Sequence, residues 1–154
     1  MGILNKIKHF FRKKKVGSEL IVDCDSIRIA LLPREVTPFV DKLRSKGVDL
    51  KPLLYGDPFE SEICIVEAEV SVIDTIVSLF KSLPEGLVNR CFVPSFRLEF
   101  LKGKVVTKTA VICWAGNQIK FSSDDSCDSY VFDGESSQAI KLMEVLKQQV
   151  KSQI

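Results

Sequence analysis

Residues Phe96–Phe121 read FRLEFLKGKVVTKTAVICWAGNQIKF, and this stretch predicts the main antiparallel sheet of the protein. Phe96, Leu98 and Phe100 alternate with charged residues, which is the period of a strand that buries one face. Two glycine-containing turns divide the stretch into three strands that follow one another as a meander. In chain order these turns and the strands after them are Lys102-Gly103, Val105–Trp114, Ala115–Asn117 and Gln118–Phe121.

Further strands are predicted on both sides of this meander. Each is a short run of β-branched and other apolar residues bounded by turn residues. Asp23–Ser26 separates the first two runs and has the composition of a hairpin turn. The predicted strands are Leu20–Val22, Ile27–Leu32, Ile63–Val70 and Tyr130–Phe132, the last of them after an acidic loop at Asp124–Asp128.

Three helices are predicted from apolar residues that recur on one helix face. The first ends at Gly47, and the second follows Ser71, which resembles a capping box with Asp74 three residues later. The third runs from Ser137 to Lys151, with Ser136 or Ser137 as its cap. The three apolar stripes are Val36, Phe39, Val40 and Leu43, then Val72, Ile73, Ile76, Val77, Phe80 and Leu83, then Ala139, Leu142, Met143, Leu146 and Val150.

The order of these elements indicates the fold class. Strands and helices mix without regular βαβ alternation, so we expect an α+β fold with a mostly antiparallel sheet and two to three packed helices, plus an N-terminal amphipathic helix. A chain of 154 residues, 45% of them hydrophobic, can bury one core and is too short for two full-sized domains. We therefore expect a basic amphipathic helix at residues 1–15 and a single domain at residues 16–154.

Charge is unevenly distributed along the chain, with a basic N-terminal segment and an acidic remainder. Residues 1–15 contain six basic residues and no acidic one, which leaves 16 basic and 20 acidic residues, a net charge of −4, for residues 16–154. On a helix the apolar side chains of this segment fall on one side and the basic ones on the other. The predicted membrane-binding residues are Ile3, Leu4, Lys6, Ile7, Lys8, Phe10, Phe11, Arg12, Lys13, Lys14 and Lys15.

A basic amphipathic helix of this kind adsorbs to an anionic membrane surface, with its apolar side in the headgroup boundary. The alternative is a helix that lies on the domain's own sheet with its basic side in water. Nucleic-acid binding through residues 6–15 is a third and less favoured hypothesis, because the basic charge is confined to one short segment instead of covering a folded face.

The sequence predicts neither a membrane span nor a secretory signal. No stretch approaches the run of about 20 apolar residues that a span needs. The densest charge, Arg12–Lys15, follows the apolar residues of the segment, whereas in a signal peptide it precedes them. We therefore expect a cytoplasmic protein that keeps its N-terminus and contacts the membrane through it.

Catalytic and metal chemistry have little support. The five cysteines have irregular spacing without a Cys-x-x-Cys pair, and the only histidine is His9, so no zinc site and no Cys–His pair is predicted. We expect buried free thiols, no disulfides, and neither a cofactor nor a metal. The cysteines are Cys24, Cys64, Cys91, Cys113 and Cys127.

Three further features have a structural and a functional interpretation. Glu67 and Glu69 share the outer face of a strand and are expected to be solvated. The acidic loop Asp124–Asp128 lacks the glycine and terminal glutamate of an EF-hand, which favours a solvated connector over a cation site. Trp114 is expected to pack in the core or at its rim, with a binding hot spot as the alternative.

The second half of the chain carries a sequence pattern that is found elsewhere. Its segments are RCFVPSFRLEF at residues 90–100, VICWAGNQI at residues 111–119, and Phe132-Asp133. They resemble a loose pattern in small uncharacterised bacterial proteins, where a Cys-x-Pro strand precedes an Ile-Cys-aromatic-x-Cys-Asn strand and a Phe-Asp step into a final helix. The resemblance covers about the last 65 residues and departs at Gly116, where the pattern has a second cysteine. It implies the strand order and a bacterial source, and no activity.

These observations favour a non-enzymatic bacterial binding protein at the inner membrane surface, whose acidic body contacts a protein partner. An immunity protein that blocks a toxin would have this size and charge. The rival hypothesis is a small enzyme that uses carboxylates with Cys91 or Cys113 in a cleft.

Overall fold

The computed structural model describes residues 23–51, 62–87, 93–123 and 126–154. These ranges form one six-stranded antiparallel sheet, in the order β2-β1-β3-β4-β5-β6, together with three α-helices. The predicted α+β class is thereby confirmed. The strands are β1 (Ser26–Leu31), β2 (Cys64–Glu67), β3 (Phe96–Lys102), β4 (Val105–Cys113), β5 (Gln118–Ser123) and β6 (Ser126–Val131), and the helices are α1 (Val40–Ser45), α2 (Val70–Ser82) and α3 (Ser137–Gln153).

The predicted meander is the centre of this sheet. Leu98 of β3 lies between Ile29 of β1 and Ala110 of β4, and all three side chains are fully buried or nearly so. Gly103 has a φ of +60° in the β3–β4 turn, and Asn117 has a φ of +53° in the β4–β5 turn. Both predicted turns are thereby confirmed. Glycine and asparagine adopt this left-handed conformation more readily than other residues, which explains why the turns lie at these positions.

Helices α2 and α3 pack against each other and against the sheet. The ring of Phe80 on α2 makes edge-to-face contacts with Phe100 of β3 and Phe121 of β5, with centroids 5.7 and 6.0 Å apart. The predicted stripes of both helices are confirmed as the buried side. Their fully buried or nearly buried members are Ile73, Ile76, Phe80, Ala139, Leu142, Leu146 and Val150.

The first predicted helix is less regular in the structure than its apolar spacing indicates. Two 3-10 turns, Pro33–Glu35 and Thr37–Phe39, precede the six residues of α1. Each turn contains a proline, which lacks the N–H group that a continuous α-helix would use there. Gly47, at a φ of +73°, ends the helix as predicted, because its left-handed conformation suits a C-terminal stop.

The predicted capping box at Ser71 is wrong. Helix α2 begins two residues earlier than predicted, at Val70, and no side chain of its own caps it. The backbone N–H of Glu69, at the N-cap position, instead donates to Oε1 of Gln149 on α3 at 2.9 Å. Gln149 is only 5% exposed, so a buried polar group and an orphan helix donor satisfy each other.

One loop prediction is also corrected. The acidic stretch is not wholly a loop, because β6 begins at Ser126 and Cys127 and Asp128 pair with Ser122 and Phe121. Pairing with β5 overrides the low strand propensity of aspartate here. The predicted hairpin partner Leu20–Val22 lies outside the described residues, and β2 and β3 occupy the two edges of β1.

The predicted N-terminal helix at residues 1–15 also lies outside the described residues. Among the helices in the described ranges, none combines the length and the apolar content that crossing a bilayer requires.

Ser136 provides a test of the start of α3. Its Oγ accepts a hydrogen bond from the Ala139 N–H at 3.2 Å and donates one to the Asp133 carbonyl at 2.6 Å. We expect Ser136→Ala to lower the free energy of unfolding by about 1 kcal/mol in urea titrations, because one orphan helix donor loses its partner. Ser137→Ala is the control, since that exposed hydroxyl contacts only the neighbouring Gln138 side chain. Equal losses in the two variants would contradict the assigned cap.

Candidate functional site

A surface pocket of about 450 Å³ lies at the end of the sheet where β4 turns into β5. Three separate segments contribute to it: the chain after α2, the β4–β5 turn, and the chain before α3. They bring one aromatic ring, one amide and two carboxylates into a single concavity. The described lining residues are Gly86, Leu87, Trp114, Asn117, Asp133, Gly134 and Glu135, and we call this the Trp114 pocket.

The tryptophan in this pocket is held by the core. Trp114 is half-buried, and its ring makes edge-to-face contacts with Phe96 and Phe132 at centroid distances of 6.4 and 5.7 Å. Its position at the rim of the core confirms the sequence prediction. Because two buried rings fix the indole, it presents an aromatic surface to the pocket without needing to rearrange.

Asn117 ties the three segments together. Its backbone accepts a hydrogen bond from the Phe132 N–H at 2.9 Å, and its side-chain Nδ2 donates to the Leu87 carbonyl at 3.3 Å. Its Oδ1 lies so close to Gly134 that a Cβ on that glycine would be 2.3 Å away. One hydrogen bond therefore holds the amide between Leu87 and Gly134.

The chain after α2 packs directly on the chain that leads into α3. Asp133 donates its backbone N–H to the Pro84 carbonyl at 2.8 Å, and Gly86 donates to the Val131 carbonyl at 3.2 Å. A Cβ on Gly86 would lie 2.3 Å from the backbone oxygen of Phe132. Glycine is thus required at position 86 by close approach of two backbones.

Asp133 and Glu135 give the pocket its charge. They immediately precede α3, where acidic side chains stabilise a helix end by about 0.3–1 kcal/mol. Oδ1 of Asp133 also accepts the Glu135 N–H at 3.0 Å, which orders this short segment. The described residues that line the pocket include these two carboxylates and no lysine or arginine.

The opposite end of β4 exposes apolar side chains. Val105 and Val106 are 67% and 37% exposed at the tip of the β3–β4 hairpin, directly after Lys104. We call residues 102–106 the hairpin tip. The first described residues of the chain attach to it, since Asp23 pairs with Lys102 at 2.9 Å and the Asp25 carboxylate accepts the Gly103 N–H at 3.0 Å.

The ion pair at the hairpin tip is fully exposed. The hydrogen bond from Lys102, and then its charge, lower the pKa of Asp23, and the same contact raises the pKa of Lys102. Both groups are charged near neutral pH, but water screens an exposed pair of this kind, so its contribution to holding the chain beside the hairpin is small.

A second concavity, of about 430 Å³, lies between α1 and α3. Two of its lysines have partners: Lys42 Nζ donates to the Lys151 carbonyl at 2.7 Å, and Lys147 Nζ lies 3.7 Å from Oε2 of Glu35. Glu35 in turn accepts a hydrogen bond from the buried Ser95 hydroxyl at 2.9 Å. These contacts link α3 to α1, to the 3-10 turn before it and to the residue that precedes β3.

The thiols do not form a catalytic arrangement in the described part of the chain. Burial raises the pKa of Cys24 and of Cys64, which keeps both protonated and weakly nucleophilic near neutral pH. Cys113 is buried, and its Sγ accepts N–H groups from Val93 and Gly116, each at 3.2 Å. Cys127 is exposed, so the expectation of buried thiols is wrong at that position.

The described residues do not bring Glu67 close to Cys113. Glu67 on β2 and Cys113 on β4 are separated by two intervening strands, which is about 14 Å at the usual strand spacing. Glu67 and Glu69 are exposed, as predicted, and Cys91 lies outside the described residues. In the described ranges no three His, Cys, Asp or Glu side chains are close enough together to hold a metal ion.

All the predicted membrane-binding residues, from Ile3 to Lys15, lie outside the described residues. Sequence reasoning missed the Trp114 pocket. It marked Pro84–Gly86 and Ala115–Asn117 as helix stop and turn, and their mutual contact has no local signature in the sequence.

The chain matches no protein-family model, and no curated protein and no solved structure is significantly similar to it.

Proposed function

We propose that this chain is a non-enzymatic bacterial binding protein that adsorbs to the inner surface of an anionic membrane and binds a protein partner through its acidic body. The observation that supports the proposal is the placement of the hairpin tip. The basic segment, residues 1–15, connects to the domain beside the exposed Val105 and Val106.

The connection restricts how far the basic segment can be from the hairpin tip. Eight peptide steps separate Lys15 from Asp23, and a fully extended chain covers at most about 29 Å in that number of steps. Asp23 itself is paired with Lys102 of the tip. The basic segment and the exposed valines of the hairpin tip can therefore contact the same membrane surface without any rearrangement of the domain.

A basic segment and an exposed apolar hairpin tip are together typical of a protein that binds a membrane surface reversibly. Each lysine or arginine near an anionic surface contributes about 1 kcal/mol, and residues 1–15 contain six. A single weak anchor gives only marginal membrane binding, and stable adsorption takes a second signal. The valines at the hairpin tip, next to Lys104, would provide that second contact.

The acidic pocket would remain free in this orientation. Strand β4 connects the hairpin tip to the Trp114 pocket, and its nine residues span about 27 Å. A protein partner could therefore reach the pocket while the hairpin tip is at the membrane.

Liposome flotation tests the membrane part of the proposal. We expect the full chain to float with vesicles that contain phosphatidylglycerol and to stay behind with pure phosphatidylcholine. Deleting residues 1–15 should reduce flotation at least tenfold, because about 6 kcal/mol of electrostatic attraction is removed. The Val105→Ser/Val106→Ser variant should float several-fold less.

The matched control is Ile65→Ser/Ile140→Ser, which changes two exposed apolar residues on β2 and α3 that are not part of the hairpin tip. It should float like the full chain. Equal flotation of full and truncated chains, or flotation of neither, would refute membrane adsorption. Retention on DNA that requires residues 1–15 and weakens with salt would instead favour the nucleic-acid hypothesis.

A further inference from the structure

We infer that Asp23 limits the attraction of the hairpin tip to anionic lipid by holding the ammonium group of Lys102. This inference rests on the proposed membrane role, because it concerns the strength of that same contact. Lys102 lies at the base of the tip, where its Nζ donates to Oδ2 of Asp23 at 2.9 Å. The carboxylate therefore already binds the ammonium group that would otherwise bind a lipid phosphate.

The neighbouring Asp25 keeps this carboxylate at the hairpin tip. Its backbone N–H donates to the Leu101 carbonyl at 2.9 Å, and its own carboxylate accepts the Gly103 N–H at 3.0 Å. Asp23 is only two residues away along the chain, so it stays close to Lys102 even when the ion pair opens. An acceptor that is tethered in this way has a high effective concentration, and it competes continuously with lipid phosphates for the lysine.

The ion pair is nevertheless weak enough for a membrane to replace it. Both side chains are more than half exposed, and exposed pairs contribute little because water screens them. Phosphates at a densely charged surface can therefore bind Lys102, while the same surface repels the released Asp23 carboxylate. The pair thus raises the density of anionic lipid that the hairpin tip requires, and it does not prevent binding.

The hairpin tip is consequently a second contact that depends on the first. With Lys102 held by Asp23, the tip offers the exposed Lys104 and two valines to a membrane, which is a weak anchor by itself. Residues 1–15 bring six further cations, and the chain that follows them reaches the domain at Asp23. Once that segment adsorbs, the tip is held next to anionic lipid, and Lys102 can exchange Asp23 for a phosphate.

Flotation with vesicles of phosphatidylcholine and an increasing fraction of phosphatidylglycerol tests the inference. Asp23→Asn removes the charge that holds Lys102 and leaves both hydrogen bonds of Asp25 in place. We expect this variant of the full chain to float about threefold more at intermediate fractions, because one negative charge is lost and one lysine is released. Asp41→Asn is the matched control, since it makes the same charge change at an exposed position of α1, which follows the other end of β1. It should float like the full chain.

A double-mutant cycle separates this ion pair from a general effect of charge. Lys102→Gln should reduce flotation less than Lys104→Gln does, because Asp23 already holds Lys102. In the Asp23→Asn background, Lys102→Gln should reduce flotation by a larger factor than it does in the full chain, and the factor for Lys104→Gln should stay the same. All of these side chains are exposed, so each variant should fold, which circular dichroism checks.

Two results would overturn the inference alone. One is equal flotation of Asp23→Asn and Asp41→Asn, and the other is the same factor for Lys102→Gln in both backgrounds. In either case the full chain could still float more than the chain without residues 1–15, which would leave the proposed membrane role in place. Failure of the full chain to float with any vesicle would overturn that role, and the inference with it.

Discussion

The Phe80→Ala variant is expected to lose about 4 kcal/mol of unfolding free energy, which makes it the most damaging single substitution in α2. Phe80 is fully buried, and its ring lies against Phe100 and Phe121 from two different strands. Alanine would remove the buried ring area and leave a cavity between helix and sheet. The core around it can collapse only partly, because β3 and β5 are fixed by their pairing with β4.

Urea unfolding followed by circular dichroism measures this loss. Small domains have only about 5–15 kcal/mol of stability, so Phe80→Leu is measured as well, as a milder variant with a smaller loss in the same direction. Val70→Ala is the control on the same helix, since Val70 is 85% exposed and should change stability by less than about 0.5 kcal/mol. A loss below about 1 kcal/mol in Phe80→Ala would contradict the assigned packing.

The central position of Phe80 could be predicted because its signal is local. Apolar residues recur along α2 at the spacing of one helix face, and alternation along β3 marks Phe96, Leu98 and Phe100 as one buried row. Both periods are set by backbone geometry within a few residues. The core of the fold therefore follows from patterns that need no knowledge of distant segments.

Contacts between distant segments could not be predicted in this way. Gln149 occupies a polar position within the apolar face of α3, and only the tertiary structure shows that its side chain caps the N-terminus of α2. Ser71 carries a local capping signal in the sequence, but in the structure the Glu69 N–H at the start of α2 bonds to Gln149 instead. Helix boundaries are decided by such competition between local and tertiary hydrogen bonds.

The Trp114 pocket shows the same limit. Proline, asparagine and glycine are common in turns and at helix ends. From the sequence, Pro84, Asn117 and Gly134 therefore indicate only turns or helix stops. The fold brings them together because β6 pairs with β5 and so places the chain before α3 beside the β4–β5 turn. A pocket assembled from three turns is visible only after the strand order is known.

Gly86→Ala is expected to be the second most damaging substitution, with a loss of about 3 kcal/mol. The added Cβ would lie 2.3 Å from the Phe132 oxygen and 2.5 Å from the Asp133 nitrogen, and both are backbone atoms that cannot turn aside. The two chains would have to separate, which breaks the hydrogen bonds from Asp133 to Pro84 and from Gly86 to Val131. Urea unfolding measures the loss, and a value below about 0.5 kcal/mol would show that the two backbones are not packed this closely.

Gly134→Ala is the matched control for this effect, because the same size of group is added to the same pocket. There the nearest atom, 2.3 Å from the new Cβ, is Oδ1 of Asn117, the end of a side chain that can rotate. Rotation would cost the single hydrogen bond to Leu87, about 1 kcal/mol, so Gly134→Ala should be clearly milder than Gly86→Ala. Emission from Trp114 should shift in Gly86→Ala before global unfolding, because separation of the two chains opens the pocket that the indole lines. The expected difference in stability between the two variants follows from the atoms that each new Cβ would contact. Backbone atoms can move only with whole segments, whereas the end of a side chain can rotate.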